Sequence, residues 1–238
     1  MRLHAFKIFV KTPTPLRTPS SDRASGCRFH RPYGFSLIEV LVVLAVIGIL
    51  AGMMLPVLSR ARERARVTRV QVELRQIELA LESYHDDHGA YPPVRVSCNT
   101  DDRDHWCQLP AELVKEAYLP SGQRNGMSSA MEDPFNPGRT YKYAAIGPYL
   151  LNGALQRDGF AMFIPSDFPD CRSEEGSYHD DPSAPVAWAA WSIGPRPSVD
   201  RAFHPRAPVS PMTWYEGSGS QGVIARIKPR KGSSFPTQ

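Results

Sequence analysis

One carboxylate stands alone in the longest apolar run of this chain. Between Phe35 and Leu58, Glu39 is the only charged residue. A carboxylate in hydrocarbon needs either an interfacial depth or a cationic partner. Other residues invite chemistry and fail on context. Gly217-Ser218-Gly219-Ser220-Gln221-Gly222 has the GxGxxG spacing of a dinucleotide fingerprint, which requires a strand before it and a helix after it. Here Val223-Ile224-Ala225-Arg226-Ile227 and then Pro229 follow, so the spacing predicts a glycine-rich hairpin turn. His85 and His88 lie three apart at the end of a helical pattern, whereas helical zinc pairs more usually lie four apart with a distant third ligand. They are expected as exposed polar residues closing the helix. No nucleophile elbow, phosphate loop or CxxC pair occurs, and no enzyme activity is expected.

Four cysteines are present: Cys27, Cys98, Cys107 and Cys171. In an oxidising compartment Cys98 and Cys107 could close one short loop as a disulfide. The acidic loops at Asp101, Asp102, Asp104, Asp180, Asp181 and Asp200 offer oxygen atoms of the kind calcium takes. None has EF-hand spacing, so solvated loops are the first expectation. Asp200 stands as the one calcium candidate, and no other cofactor is expected.

The elements that must position these residues are legible. As a helix, Phe35 to Leu58 would rise roughly 36 Å, enough to cross a bilayer core of about 30 Å. Past Pro56 the residues Val67, Val70, Leu74, Ile77, Leu81 and Tyr84 recur at spacings of 3, 4, 3, 4 and 3, one face of a continuing helix. Gly89, followed by Pro92 and Pro93, ends it. Residues 94–238 are rich in Pro and Gly. They predict a short helix within Leu109–Tyr118 and strands at Thr140–Ile146, Phe160–Ile164, Pro185–Ser192 and Val223–Ile227. The fold class is α+β, a long N-terminal helix packed on a small antiparallel sheet.

Charge is segregated. Residues 1–34 carry seven Lys/Arg and one Asp, while the remaining residues hold 21 basic and 23 acidic side chains. The basic balance therefore belongs to an N-terminal arm, and nucleic-acid binding by the body is not expected. Within the shaft, Arg60, Arg62, Arg64, Arg66 and Arg69 outweigh Glu63. Glu73, Glu78, Glu82, Asp86 and Asp87 then outweigh Arg75. Such polarity predicts either a solvated face or a stagger that sets the basic stretch of one copy beside the acidic stretch of another. Arginines flank the apolar run on both sides, so charge alone does not fix orientation.

Gly34-Phe35-Ser36-Leu37-Ile38-Glu39 before an apolar run, with Pro56 further on, resembles the processing site of type IV prepilins and type II secretion pseudopilins. Leu81 to Pro92 and Asp133-Pro134-Phe135-Asn136-Pro137 are similar to the major, G-type pseudopilins, as is Ser192-Ile193-Gly194-Pro195. The aspartate that family usually carries after Ser-x-Gly-Pro is Arg196 here. A plain signal-anchor would need none of the Gly-Phe-Glu-Pro positions.

The resemblance implies a leader (1–34), a transmembrane and polymerisation helix (35–58), an amphipathic shaft (59–90) and a periplasmic or extracellular body (91–238). It implies cleavage between Gly34 and Phe35, N-methylation of Phe35, and assembly through Glu39 and Pro56. Glu39 would pair with the new α-amine of a neighbouring Phe35. The implied partners are the membrane, copies of itself, other pseudopilins, a prepilin peptidase and methylase, and a secretion platform with its ATPase. The implied site is the inner membrane. The implied function is a structural subunit of a type II secretion pseudopilus. A minor type IV pilin for adhesion or DNA uptake, or a signal-anchored periplasmic binding module, are the alternatives.

Overall fold

The computed structural model describes residues 34–98, 107–124, 127–129, 131–166, 168, 176–179, 182–197 and 208–237. The chain forms two units, Met1–Gly48 and Ile49–Gln238. Residues 1–33 of the expected leader, with Cys27, and Asp101, Asp102, Asp104, Cys171, Asp180, Asp181 and Asp200 lie outside the described residues.

Helix α1 runs from Leu37 to His88. Its C-terminus is closed as the sequence predicts: Gly89 adopts φ +71 and its N–H donates to the His85 carbonyl at 2.8 Å. That left-handed geometry suits glycine, and the prolines beyond cannot continue the helix. Of the predicted inward face, Val70, Leu74, Ile77, Leu81 and Tyr84 are buried, and Val67 packs partly against the same core. Burying each such side chain contributes about 1.5–3 kcal/mol, which is why an amphipathic shaft stays helical here.

The helix packs on the core of the body, which holds the described strands. These are β1 (Val94–Val96), β2 (Ser121–Arg124), β3 (Met127–Ser129), β4 (Lys142–Ala145), β5 (Gly147–Leu151), β6 (Ala154–Phe160), β7 (Met162–Ile164), β8 (Gly176–Tyr178), β9 (Val186–Ser192), β10 (Ile224–Pro229) and β11 (Phe235–Pro236). A four-residue helix, α2 (Glu112–Lys115), precedes β2. The main sheet has the order β11-β10-β9-β4 and is antiparallel throughout. Its central strand β9, Val-Ala-Trp-Ala-Ala-Trp-Ser, is buried at all but one position and carries Trp188 and Trp191 into the core.

Three details depart from the sequence expectation. The sheet β1-β5-β6 contains a parallel pair, β1 with β5, so the body is not wholly antiparallel. Phe160–Ile164 is not one strand: β6 ends at Phe160, just after Gly159 at φ +85, and Met162–Ile164 pairs with β8 instead. The β5–β6 hairpin turns on Asn152 (φ +49) and Gly153 (φ +85). Asn-Gly is a strong hairpin signal because both residues tolerate positive φ, and it was legible in the sequence.

The glycine-rich stretch is a packing device. It does not close a hairpin, because Trp214 and Val223 at its ends form a parallel bridge. A Cβ on Gly194 would lie 1.8 Å from the Gly222 carbonyl oxygen, and one on Gly222 would lie 2.5 Å from the Trp214 backbone. Two backbone segments therefore meet where no side chain fits. No phosphate cradle follows from these glycines.

Candidate assembly site

The N-terminal motif is open to solvent. Gly34 has nothing near it that a side chain would meet, and Phe35 is 79 % exposed. The helix starts on Ser36, whose carbonyl accepts from the N–H groups of Glu39 (3.0 Å) and Val40 (3.2 Å). Glu39 Oε2 in turn accepts from the Ser36 N–H at 3.3 Å. This is the glutamate half of a capping box, Ser-x-x-Glu, in which the third helical residue folds back on the cap. The Ser-x-x-Glu spacing that encodes this cap stands in the sequence. The fold-back holds the Glu39 carboxylate one residue from the nitrogen that cleavage after Gly34 would free.

From Leu37 to Leu58 the large apolar side chains are all exposed, and α1 is long and apolar enough to cross a membrane. Pro56 lies inside the helix without breaking it. Lacking an N–H, it leaves one carbonyl a turn earlier without a helical partner. Its own carbonyl accepts from Ser59 Oγ at 2.9 Å.

Three carboxylates in the acidic half of the shaft are engaged within the chain. Glu73 accepts from Tyr141 Oη at 2.5 Å and from Arg69 Nε at 2.8 Å. Glu82 accepts from Trp188 Nε1 at 3.0 Å and Tyr91 Oη at 3.2 Å, with Lys228 Nζ 3.8 Å away. Glu78, buried, accepts from Arg75 Nη1 at 2.5 Å and also from Arg226 Nε and Ser234 Oγ. Burial pushes its carboxyl up, but the bonds from Ser234, Arg75 and Arg226 outweigh that and hold it below its ordinary value. These carboxylates fasten the shaft to the body.

The histidines are also engaged. His88 stacks on Tyr84 with ring centroids 4.0 Å apart, and its Nε2 lies 3.1 Å from Glu116 Oε2. No cluster that could hold a metal occurs among the described residues.

Cys98 and Cys107 are separate thiols in this structure. Different elements hold them. The Cys98 N–H donates to Asn152 Oδ1 at 2.8 Å, while the carbonyl of the buried Cys107 accepts from Tyr143 N–H at 2.7 Å. Burial pushes the Cys107 thiol up to about 12. A thiol so far from ionisation is a poor nucleophile.

Asp200, the calcium candidate, lies outside the described residues, and an arginine follows the Ser-x-Gly-Pro turn. Arg196, at φ +53, directs Nη2 to the Ser220 carbonyl (3.1 Å) and to Glu63 Oε1 (3.3 Å). Glu63 Oε1 also accepts from Tyr215 Oη and Gly219 N–H, each at 3.3 Å. The oxygens a cation would need are turned on a permanent guanidinium charge. A calcium ion at this turn would meet like charge.

Residues 30–55 match the model described as the prokaryotic N-terminal methylation motif. A fimbrial protein of Neisseria meningitidis serogroup B is 36 % identical over 155 residues, 65 % of this chain and 84 % of that protein. The chain belongs to the type IV pilin-like family. Residues 59–218 of this pilin-like chain also match a model described as a protein of unknown function (DUF1559). The type II secretion system core protein G of Pseudomonas aeruginosa is 39 % identical over 59 residues, 25 % of this chain and 42 % of that protein. That of Klebsiella pneumoniae is 37 % identical over 63 residues, 26 % of this chain and 45 % of that protein. The pilin-like chain thus spans less than half the length of these two core proteins. No solved structure matches it. Its α+β architecture, exposed apolar helix and methylation motif mark a membrane-anchored, pilin-like protein.

Proposed function

We propose that this chain is a structural subunit of a type II secretion pseudopilus, held in the inner membrane and polymerised through its N-terminal helix. The observation that carries this reading is the exposed apolar helix behind Gly34-Phe35-Ser36-Leu37-Ile38-Glu39. An apolar surface of that length must be covered by lipid or by other helices. A prepilin peptidase would cut after Gly34 and methylate Phe35. Glu39 would then exchange its Ser36 contact for the α-amine of a neighbouring subunit. The body performs no chemistry in this reading. Other pseudopilins and a platform with its ATPase complete the assembly.

The similarity to core protein G supports the secretion role. The longer match to a fimbrial protein favours the second reading, a pilus subunit. Deleting the gene discriminates them. Loss of secreted proteins from the medium with surface pili intact supports the pseudopilus, and the reverse pattern supports the pilus. For processing, Gly34→Leu should leave full-length precursor in the membrane. Mature protein with an N-methylated Phe35, seen by mass spectrometry in that variant, would refute the cleavage site.

A further inference from the structure

Four arginines of the shaft have no ion-pair partner among the described residues of the body. Arg60, Arg62, Arg64 and Arg66 are exposed, and no ion pair joins any of them to another described residue. Arg69, the fifth, is taken by Glu73 at 2.8 Å. The acids that might have answered the four, at positions 73, 78 and 82, are bound to Tyr141, Arg226, Ser234, Trp188 and Tyr91.

Helical spacing arranges the four in two pairs. Arg60 and Arg64 are four apart on one flank, and Arg62 and Arg66 are four apart on the other. Between the flanks lies the face of Glu63, Val67 and Val70, which the body covers. Like charges four apart destabilise a helix unless an anion lies between them. Two such pairs leave the body free to sit on the third face.

The collar begins directly after the exposed apolar residues Met53, Met54, Leu55, Val57 and Leu58. Arg60 to Arg66 rises roughly 9 Å, close to the thickness of one headgroup layer, about 5–8 Å. Long arginine side chains extend that reach toward the interface. Guanidinium pairs phosphate oxygens bidentately and stays charged there. We infer that Arg60, Arg62, Arg64 and Arg66 form a docking collar for the headgroups of anionic phospholipids. This rests on the membrane-anchored reading of α1. It accounts for arginines on the far side of the apolar run, where orientation by charge would not call for them. It also sets a lipid contact that leaving the bilayer for a filament must break.

The test uses the full chain in nanodiscs of phosphatidylcholine alone, or of phosphatidylcholine mixed equally with phosphatidylglycerol. Incorporation into both tests the membrane reading by itself, and failure to incorporate into either overturns that reading. Given incorporation, deuterium exchange of the amides from Arg60 to Arg66 should be about fivefold slower with phosphatidylglycerol, and molar salt should remove the difference. A variant with all four arginines changed to Gln should show no lipid dependence, while exchange in β9 and β10 stays unchanged. Equal exchange in the two lipids would overturn the collar. So would a lipid effect that survives in the Gln variant, or protection that follows the number of copies per disc instead of lipid charge.

Discussion

Arg196 reaches Glu63 across 133 positions of sequence, with Nη2 3.3 Å from Oε1. The same nitrogen holds the Ser220 carbonyl at 3.1 Å, so one side chain ties the glycine-rich loop to the helix. A fixed cation thereby does at this turn what a bound metal ion could do elsewhere.

Removing that clamp should cost little in free energy, because Arg196 is 49 % exposed and its pairing is screened by water. Arg196→Ala is expected to lower stability by about 1 kcal/mol. The wild-type melting temperature should be the same in calcium and in chelator. A calcium-dependent rise in the wild-type chain, measured by differential scanning fluorimetry, would contradict the assignment through linkage.

Glu78 should be the costliest polar position on the shaft. Its side chain is 9 % exposed, and its partner Arg226 is 12 % exposed. Glu78→Gln leaves Arg226 buried without its counter-charge, a loss of about 3 kcal/mol. Because the carboxyl is held below its ordinary value, the stability it contributes is present above the unfolded value of 4.5. It is lost as pH falls through the folded one. Urea denaturation at neutral and acidic pH checks both statements. An unchanged midpoint would show that Arg226 is satisfied elsewhere.

Asp133 should act in the opposite sense. Burial raises its carboxyl to about 6, against bonds from the Phe135 N–H, Ser192 Oγ and the Ile193 N–H, and Glu73 adds to the rise. The native state therefore favours the protonated form. The associated stability is full below the unfolded value of 3.8 and is lost as pH rises through about 6. That interval corresponds to about 3 kcal/mol. Stability of the wild type relative to Asp133→Asn should fall by that amount as pH rises from about 4 to about 7. A constant difference across the range would show that Asp133 keeps its charge.

Two functions of Glu39 can be separated. Glu39→Ala removes both the cap on Ser36 and the charge, while Glu39→Gln keeps a capping side chain without the charge. Both variants should be inserted and processed, since removing a charge eases placement in a bilayer. Both should yield few filaments, because an α-amine left unpaired among packed helices costs about 3–5 kcal/mol. Shearing cells and pelleting filaments beside an immunoblot measures this. Normal filaments from Glu39→Gln alone would make capping, not charge, the requirement.

The sequence by itself determined what repeats locally. Periodicity predicted one helix ending at Gly89, and the structure places its end at His88, because the apolar spacing and the glycine-proline stop are properties of neighbouring residues. Alternating and β-branched runs located β4, β9 and β10 to within a few residues. The motif from Gly34 to Glu39, contiguous in the chain, identified the family before any fold was known.

Tertiary structure decided which charges are spent. Glu73, Glu78 and Glu82 looked like a solvated acidic face, yet each meets a group at least 68 positions away in sequence: Tyr141, Arg226 and Trp188. No local pattern encodes such a meeting, because it depends on how the sheet is laid on the helix. The same holds for Arg196 and Glu63, for the contact of Gly194 with Gly222, and for Cys107, which folding buries while Cys98 stays exposed. Only after these pairings are drawn do Arg60, Arg62, Arg64 and Arg66 stand out, since a charge left over is defined by what the rest of the fold has already paired.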